Sequence, residues 1–343
     1  MSLPNGSIRT ATTKSDQKGE MGLRKSGSDP HFLSLISPDP MLPGYRGRFA
    51  PSPSGPLHFG SLVAATASYL QALSNDGEWL LRIEDIDPPR EIPGATELII
   101  SSLRAHAFQW VGPIHRQSTH LAEYHAIVEH LLATGLAYRC RCTRDEVRRT
   151  ATAIGTTGPV YRGTCRDRGH AASAEMPDAV RLRTGNSTVE FNDILQGQIS
   201  CQVAESIGDF IIRRKDGLIA YNLAVVIDDA REGITEVVRG CDLLDVTPAQ
   251  IELQHTLELS EPTYMHVPVV INKHGQKLSK QTGAIPIDDQ QPGKNLFSAL
   301  QFLYQEPPNE LINETPEMIW DWAQKHWRPQ KLVAKQQSAY EFT

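Results

Sequence analysis

Three groups of residues in this chain could do chemistry by their types and spacing. The first is the run Arg48-Phe49-Ala50-Pro51-Ser52-Pro53-Ser54-Gly55-Pro56-Leu57-His58-Phe59-Gly60-Ser61. Its prolines and glycines forbid a helix and force a tightly turned loop. Apolar residues three and four apart from Leu62 to Leu73 then start a helix at about Ser61. The loop thus delivers an imidazole to a helix N-terminus, where unsatisfied N–H groups and the helix dipole favour an anion such as a phosphate. His58 adds a donor, Gly60 lets a ligand approach the backbone, and Ser61 caps the helix or donates to an oxygen.

The second group is Lys273, Lys277 and Lys280 in the polar run Asn272-Lys273-His274-Gly275-Gln276-Lys277-Leu278-Ser279-Lys280. Such a loop is suited to movement rather than packing, and mobile lysines suit a triphosphate. The third group is Cys140, Cys142 and Cys165, three soft ligands around a Gly- and Thr-rich loop that needs a clip to order itself. Zinc is that clip. It wants four tetrahedral ligands, and Tyr161, His170 and Cys201 are each available as the fourth.

These groups need elements to hold them. A strand over 45–50, the helix ending near Ser74 at Asn75-Asp76-Gly77, and a buried parallel strand Trp79-Leu80-Leu81-Arg82-Ile83 make a right-handed βαβ unit. The ligand crevice of such a unit lies at the carboxyl ends of its strands, where Arg48 to Ser52 and Glu84-Asp85-Ile86-Asp87 both fall. Helices follow over 95–106 and over a segment with Leu121, Tyr124, Val128, Leu131 and Leu132 on one face, stopped by Gly135. Residues 180–183, 189–192 and 210–214 alternate like strands, with Lys215-Asp216-Gly217 as a hairpin turn. Leu218 to Ile227 reads as a long apolar strand that brings Asp228-Asp229 to the crevice edge, and 234–238 as another strand closed by Arg239-Gly240. Short helices are predicted over 296–303 and 316–325.

At 343 residues the chain is long enough for a large core, and 40% hydrophobic with 22% charged residues is ordinary globular composition. A net charge of -6 excludes a surface coated in nucleic-acid-binding charge, so any RNA contact must be local. The segment from Arg139 to Arg168 supplies it, with eight arginines against three acids. Five cysteines, no apolar run of membrane-spanning length and no signal-peptide core imply a reducing, cytoplasmic setting without membrane attachment, and a monomer is expected. Residues 1–44, polar and of mixed charge, read as a disordered extension.

His58-Phe59-Gly60-Ser61 resembles the first signature of class I aminoacyl-tRNA synthetases, and Lys277-Leu278-Ser279-Lys280-Gln281 their second. Together with Arg48 to Gly55, Arg82-Ile83-Glu84-Asp85-Ile86-Asp87 and Tyr221 to Asp229, in that order, they are similar to the glutamate branch from about Gly47 to Gln281. The Cys-x-Cys and Tyr-x-x-x-Cys spacings, Pro88-Pro89-Arg90 and Gln281 resemble its truncated paralogues, the glutamyl-Q tRNA(Asp) synthetases, and the residues after Lys280 are too few for an anticodon-reading module. One departure is Gly240-Cys241-Asp242, where the family commonly has Gly-Glu-Asp.

The resemblance implies an α/β class I synthetase fold: a Rossmann-like parallel sheet with a zinc-containing insertion, a short helical C-terminal region and no anticodon-binding domain. The expected division is 45–139 and 206–285 for the halves of the catalytic domain, 140–205 for the zinc-binding, acceptor-side insertion and 286–343 for the helical region. It implies ATP-dependent activation of L-glutamate as glutamyl-adenylate, then transfer to queuosine at the wobble position of tRNA(Asp). A shortened enzyme charging tRNA(Glu) and a non-catalytic tRNA-binding relative are the alternatives. A pocket for glutamate needs one fixed anion for the ammonium and at least one guanidinium for carboxylate. Glu84 is the anion. By resemblance Arg48 and Arg239 grip carboxylate, Tyr221 helps to fix the side chain, Ala50 and Ser52 bound the amino end, and Phe49 and Pro51 belong to the same glutamate-binding run. His58, Gly60, Ser61 and Lys280 take ATP with Mg2+, with His58, Lys277 and Lys280 catalytic, and one structural Zn2+ is held by Cys140, Cys142, Tyr161 and Cys165. Alternatively Arg82, Glu84, Asp85, Asp87 and Arg90 form only a surface ion-pair cluster.

Overall fold

The loop of prolines and glycines after the first strand leads straight into a helix, and these two elements set the geometry of everything around them. The computed structural model describes residues 36, 44–151, 153–172, 177–271, 285–334 and 337–339. Strand β1 (Arg46–Phe49) is followed by helix α1 (Phe59–Ser74) and strand β2 (Glu78–Ile83), which pairs parallel with β1. Helix α2 (Ala95–Ala105) leads to β3 (His115–Arg116), parallel to β2 on its far side. Helix α3 (Leu121–Ala133) precedes β4 (Ala137–Cys140), and α4 (Arg144–Thr150) is closed by a Thr143–Glu146 capping box. A small hairpin of β5 (Ile154–Gly155) and β6 (Gly158–Pro159), then β7 (Ala179–Leu182), β8 (Thr188–Asp193), β9 (Gly197–Gln202), α5 (Val203–Ser206) and β10 (Ile211–Arg213) follow. The rest comprises α6 (Tyr221–Arg231), β11 (Glu236–Gly240), α7 (Thr247–Thr256), β12 (Thr263–Val267), β13 (Val269–Ile271), α8 (Pro292–Phe302), α9 (Pro316–His326) and β14 (Gln337–Ala339).

β11 pairs parallel with β12, and it runs beside β1, where Thr235 N donates to Arg46 O at 2.9 Å. The strands therefore run β3-β2-β1-β11-β12 across the molecule, with β8 and the antiparallel β9 extending the sheet beyond β12. The chain leaves β1 toward β2 and returns on the other side as β11, so the order reverses there. In a doubly wound sheet that reversal opens a crevice at the strands' carboxyl ends. A separate antiparallel sheet, β10-β7-β4, carries Cys140 at the end of β4.

Aromatic side chains lock α1 to the sheet and to the C-terminal helices. Tyr69 lies 4.9 Å from both Trp79 and Trp320, ring centre to ring centre. Trp79 Nε1 donates to Ser68 Oγ, which donates to Arg48 O, each at 2.9 Å, so the indole fixes the strand that carries Arg48. Trp327 Nε1 donates to Gln71 Oε1 at 2.9 Å. The two C-terminal helices expected from the sequence are present, and they back the helix that opens the crevice. The chain reverses before β2 at Gly77, where a Cβ would stand 2.5 Å from Tyr45 O. Gly77→Ala should thus push β1 away and cost about 1–3 kcal/mol. Thermal unfolding checks it, and an unchanged Tm would contradict the close approach.

Three expectations are corrected. Leu218 to Ile227 is not a strand: Tyr221–Arg231 is helical, and Ile219 instead bridges back to Arg213 in the β10 turn. Every residue from Leu223 to Asp229 is buried, so this stretch has no exposed face to give a helical period, and a short continuous apolar run reads alike for strand and helix. Helix α1 begins at Phe59 rather than Ser61, because His58 itself is the N-cap, its Nδ1 accepting from Ser61 N at 3.2 Å. Leu121, expected on the apolar face of α3, is exposed at the helix's first residue.

Candidate active site

A cavity of about 740 Å³ fills the crevice at the reversal point. The end of β1 and the loop after it supply Arg48, Phe49, Ala50, Pro51 and Ser52, and the start of α1 supplies His58, Gly60 and Ser61. Glu84 enters from the end of β2, Tyr221 from the first residue of α6 and Arg239 from the end of β11. Every residue expected to meet the amino acid, and all of those expected at the nucleotide except Lys280, thus line one space. Lys277 and Lys280 lie outside the described residues.

The α1 terminus has the character expected of an anion site, through a different residue. With Nδ1 accepting the Ser61 amide, a neutral His58 carries its proton on Nε2 and can donate from there.

The charged residues behind the cavity form two unlike systems. Arg48 is buried and paired with Asp229, Nε donating to Oδ1 at 3.0 Å and Nη2 to Oδ2 at 3.2 Å. Arg82, wholly buried, donates to Glu232 at 2.5 Å and Asp229 at 2.6 Å. Burial alone would raise Asp229, and the guanidiniums of Arg48 and Arg82 outweigh it and hold it at about 2. Asp228 and Asp229 therefore do not line the crevice as expected. They sit inside, on the buried side of α6, Asp228 accepting from Tyr124 and from Gln117 at 2.7 Å each. Nor is the acidic motif a surface cluster. Asp87 and Arg90 pair with each other near solvent and Asp85 pairs with Arg116, while Arg82 is the hub of the buried network.

Glu84 is different. It is 7% exposed, its nearest guanidinium nitrogen is 3.9 Å away on Arg82, and Oε1 is buried without a hydrogen-bond partner among the described residues. Burial pushes its carboxyl up to about 7, against the pull of Arg82 and Arg48. A buried carboxylate with an unpaired oxygen beside a cavity is a receptor for a cation.

Across the cavity Arg239 is held entirely by neutral groups. Its Nε donates to His266 Nε2 at 3.0 Å, and Nη2 donates to Thr247 Oγ1 and Gln250 Oε1, both at 2.8 Å. His266 is in turn bound through Nδ1 to Asp193 Oδ2 at 2.6 Å. Accepting at Nε2 places its proton on Nδ1 in the neutral ring, and burial lowers its pKa, so it orients Arg239 without repelling it. Arg48 has its charge matched internally; Arg239 presents an anchored charge with no carboxylate in those three bonds. Sequence reasoning missed His266, Asp193 and Asp229's true role, since nothing in spacing connects residues 193, 239 and 266.

The three thiols expected from sequence meet. Cys140, Cys142 and Cys165 place their sulfurs within 4.8 Å of one another, Cys142 and Cys165 being 3.6 Å apart. Tyr161 Oη lies 3.4 Å from Cys140 Sγ and 3.5 Å from Cys142 Sγ, and accepts from Cys165 N at 2.9 Å. Zinc bonds of about 2.3 Å to sulfur and 2.0 Å to oxygen give tetrahedral edges of about 3.8 and 3.5 Å, so this donor set fits that ion. His170 hydrogen-bonds the Cys165 thiol, with Nε2 buried and unpartnered among the described residues. Cys201, in β9, packs against the main core instead. Arg181, which sequence reasoning did not single out, donates Nε to Cys140 Sγ at 3.3 Å and lies 3.9 Å over the Tyr161 ring. Of the eight arginines between 139 and 168, Arg139, Arg141 and Arg166 are spent on Glu129, Asp178 and Asp209, and Arg144, Arg148, Arg149, Arg162 and Arg168 are exposed.

Comparison with known proteins bears on what this geometry is for. Residues 45–300 match the family model described as tRNA synthetases class I (E and Q), catalytic domain. A relative from Pseudomonas aeruginosa strain PAO1, named glutamyl-Q tRNA(Asp) synthetase, is 47% identical over 287 residues, 84% of this chain and 94% of its own. One of the same name from Dechloromonas aromatica is 47% identical over 284 residues, covering 82% and 94%. Among solved structures, a glutamate tRNA ligase from Elizabethkingia meningosepticum in complex with its amino acid shares the fold. Its TM-score is 0.71 at 24% identity, over 87% of this chain and 67% of that one. Among the described residues no helix is long and apolar enough to cross a membrane.

Proposed function

Because the chain belongs to the class I tRNA synthetases of the glutamate and glutamine type, and among them to the glutamyl-Q tRNA(Asp) synthetases, we propose that it activates L-glutamate with ATP and passes the glutamyl group to queuosine at the wobble position of tRNA(Asp). The observation that carries this reading is that one cavity sets a buried carboxylate, with one oxygen lacking a hydrogen bond among the described residues, opposite an anchored guanidinium. Glu84 takes the substrate ammonium, Arg239 the side-chain carboxylate with Tyr221 beside it, and Arg48 adds field from behind. Phe49, Ala50, Pro51 and Ser52 close the amino end. A donor set built for a carboxylate leaves its groups unpaired against glutamine, and each such loss costs about 1.5–3 kcal/mol.

In activation the α-carboxylate of glutamate attacks the α-phosphorus of ATP and pyrophosphate leaves, so the protein's task is to align the two and spread the developing charge. His58, Gly60 and Ser61 at the start of α1 would hold phosphate oxygens of ATP, taken as its Mg2+ complex, and Lys277 and Lys280 are assigned to the departing pyrophosphate by their charge. In transfer a hydroxyl oxygen of the nucleoside bonds to the glutamyl carbonyl carbon as the acyl–phosphate bond breaks. AMP leaves with the electron pair, and the hydroxyl proton passes to one of its phosphate oxygens. The enzyme works as a monomer in the cytoplasm. Acylation of tRNA(Asp) with and without queuosine tests the acceptor. Glutamate should enter only the queuosine form, and incorporation into tRNA(Glu) instead would refute it.

Cys140, Cys142, Tyr161 and Cys165 would hold one zinc ion, which when bound cross-links the insertion that faces the RNA. Cys140→Ser is expected to reduce zinc from one per chain to near zero while ATP binding persists. Zinc remaining stoichiometric by atomic absorption in that variant would refute the ligand set.

A further inference from the structure

A second cavity, of about 620 Å³, adjoins the first and shares with it Ser52, Ser54, Glu84, Arg90 and Tyr221. Its own wall contains Glu91 and Gln117, and each of these has Oε1 buried without a partner among the described residues. Gln117 is wholly buried, and its amide orientation is fixed because Nε2 donates to Asp228 Oδ2 at 2.7 Å. With Glu84 Oε1 on the shared wall, three buried acceptor oxygens without a hydrogen-bond partner among the described residues border this space. Buried polar groups are otherwise almost always satisfied; Glu84 is met by the glutamate ammonium, and Glu91 and Gln117 call for a second ligand that brings donors. The remaining wall is apolar, with Ile86, Ile92, Ile211 and Ile219. At the rim Asp87 holds two guanidiniums, Arg90 Nε at 2.5 Å and Arg214 Nη1 at 3.1 Å, positioned for a phosphodiester.

Resting on the function proposed above, we infer that this second cavity is the acceptor subsite, and that it recognises the substituent of the modified nucleobase rather than its guanine-like ring. That substituent carries a secondary ammonium, two hydroxyls and a carbocycle, which match the acceptors and the isoleucine wall in kind. Glu91 and Gln117 take the ammonium and one hydroxyl. The other hydroxyl is thereby presented at the shared wall, beside the carboxyl carbon of the activated glutamate. With Glu84 already on the glutamate ammonium, an unmodified guanine brings neither the cation nor the diol and leaves Glu91 and Gln117 unpaired.

The test compares wild type with Glu91→Gln, Glu91→Lys and Gln117→Leu in two assays: glutamate-dependent pyrophosphate exchange without RNA, and transfer of glutamate to queuosine-containing tRNA(Asp). Exchange should stay within about twofold of wild type in each variant, which also shows that the variants fold. Transfer kcat/KM should fall about fivefold in Glu91→Gln and more than tenfold in Glu91→Lys and Gln117→Leu, and free queuine should inhibit transfer in wild type but not in Glu91→Lys. Undiminished transfer in all three variants of an enzyme that charges queuosine tRNA overturns the subsite and leaves the acceptor intact. A wild type that charges no queuosine tRNA overturns both.

Discussion

Arg239→Ala is expected to lower kcat/KM for glutamate in pyrophosphate exchange by about 100-fold, mostly through KM, with little change in Tm. The magnitude follows from losing a charge-assisted interaction of about 1.5–3 kcal/mol, at about 1.4 kcal/mol per factor of ten. The division between affinity and stability follows from the anchoring. Arg239's bonds to His266, Thr247 and Gln250 are to neutral acceptors, so its removal strands no buried anion in direct contact. Arg48→Ala must behave differently although both side chains line the cavity. It leaves Asp229 buried with only Arg82, and breaking such a pair costs about 3–5 kcal/mol, so activity and Tm should fall together. Equal losses of Tm in the two variants would contradict this distinction.

Glu84→Gln should abolish measurable glutamate activation and at the same time make the empty protein more stable at pH 8. The folded protein holds this carboxyl at about 7, above its ordinary 4.5, so folding favours the protonated form. Its contribution to stability is complete below about 4.5 and is lost as the pH rises through about 7. Glutamine, neutral at every pH, keeps it, so the gain in Tm should appear at pH 8 and vanish near pH 4.5. The same group sets the pH dependence of the wild type. Only the carboxylate binds an ammonium, and KM for glutamate should rise as the pH falls below about 7. A Glu84→Gln variant that is no more stable at pH 8, or a wild-type KM flat from pH 8 to 6, would remove Glu84 from this role. A receptor group that destabilises the empty fold is the usual trade of stability for binding.

The loops around the cavity were legible because they are local. The proline-rich run, the helix after it and the strand ending at Glu84 are each set by neighbours in sequence, and the cavity they form contains the residues expected in it. The cysteine cluster was legible for a similar reason, since only a few soft ligands were present. What the sequence hid was burial from both sides and pairing at long range. Helix α6 reads as a strand because Leu223 to Asp229 are all covered, and this misplaced Asp228 and Asp229 at the crevice edge when they neutralise Arg48, Arg82 and Arg231 from inside. The Asp193–His266–Arg239 relay joins β8, β12 and β11, three strands whose adjacency depends on the crossover order rather than on any local pattern. Gln117 and Glu91 became visible only once the cavity between them existed.

The central claim is that one cavity pairs a fixed anion with an anchored guanidinium so as to choose a dicarboxylic amino acid for adenylation. Pyrophosphate exchange measured without any RNA, with glutamate and glutamine as alternative substrates, tests it most directly. Exchange with glutamate and at least a hundredfold lower kcat/KM with glutamine is the expected result; comparable exchange with both, or none with glutamate, would contradict it.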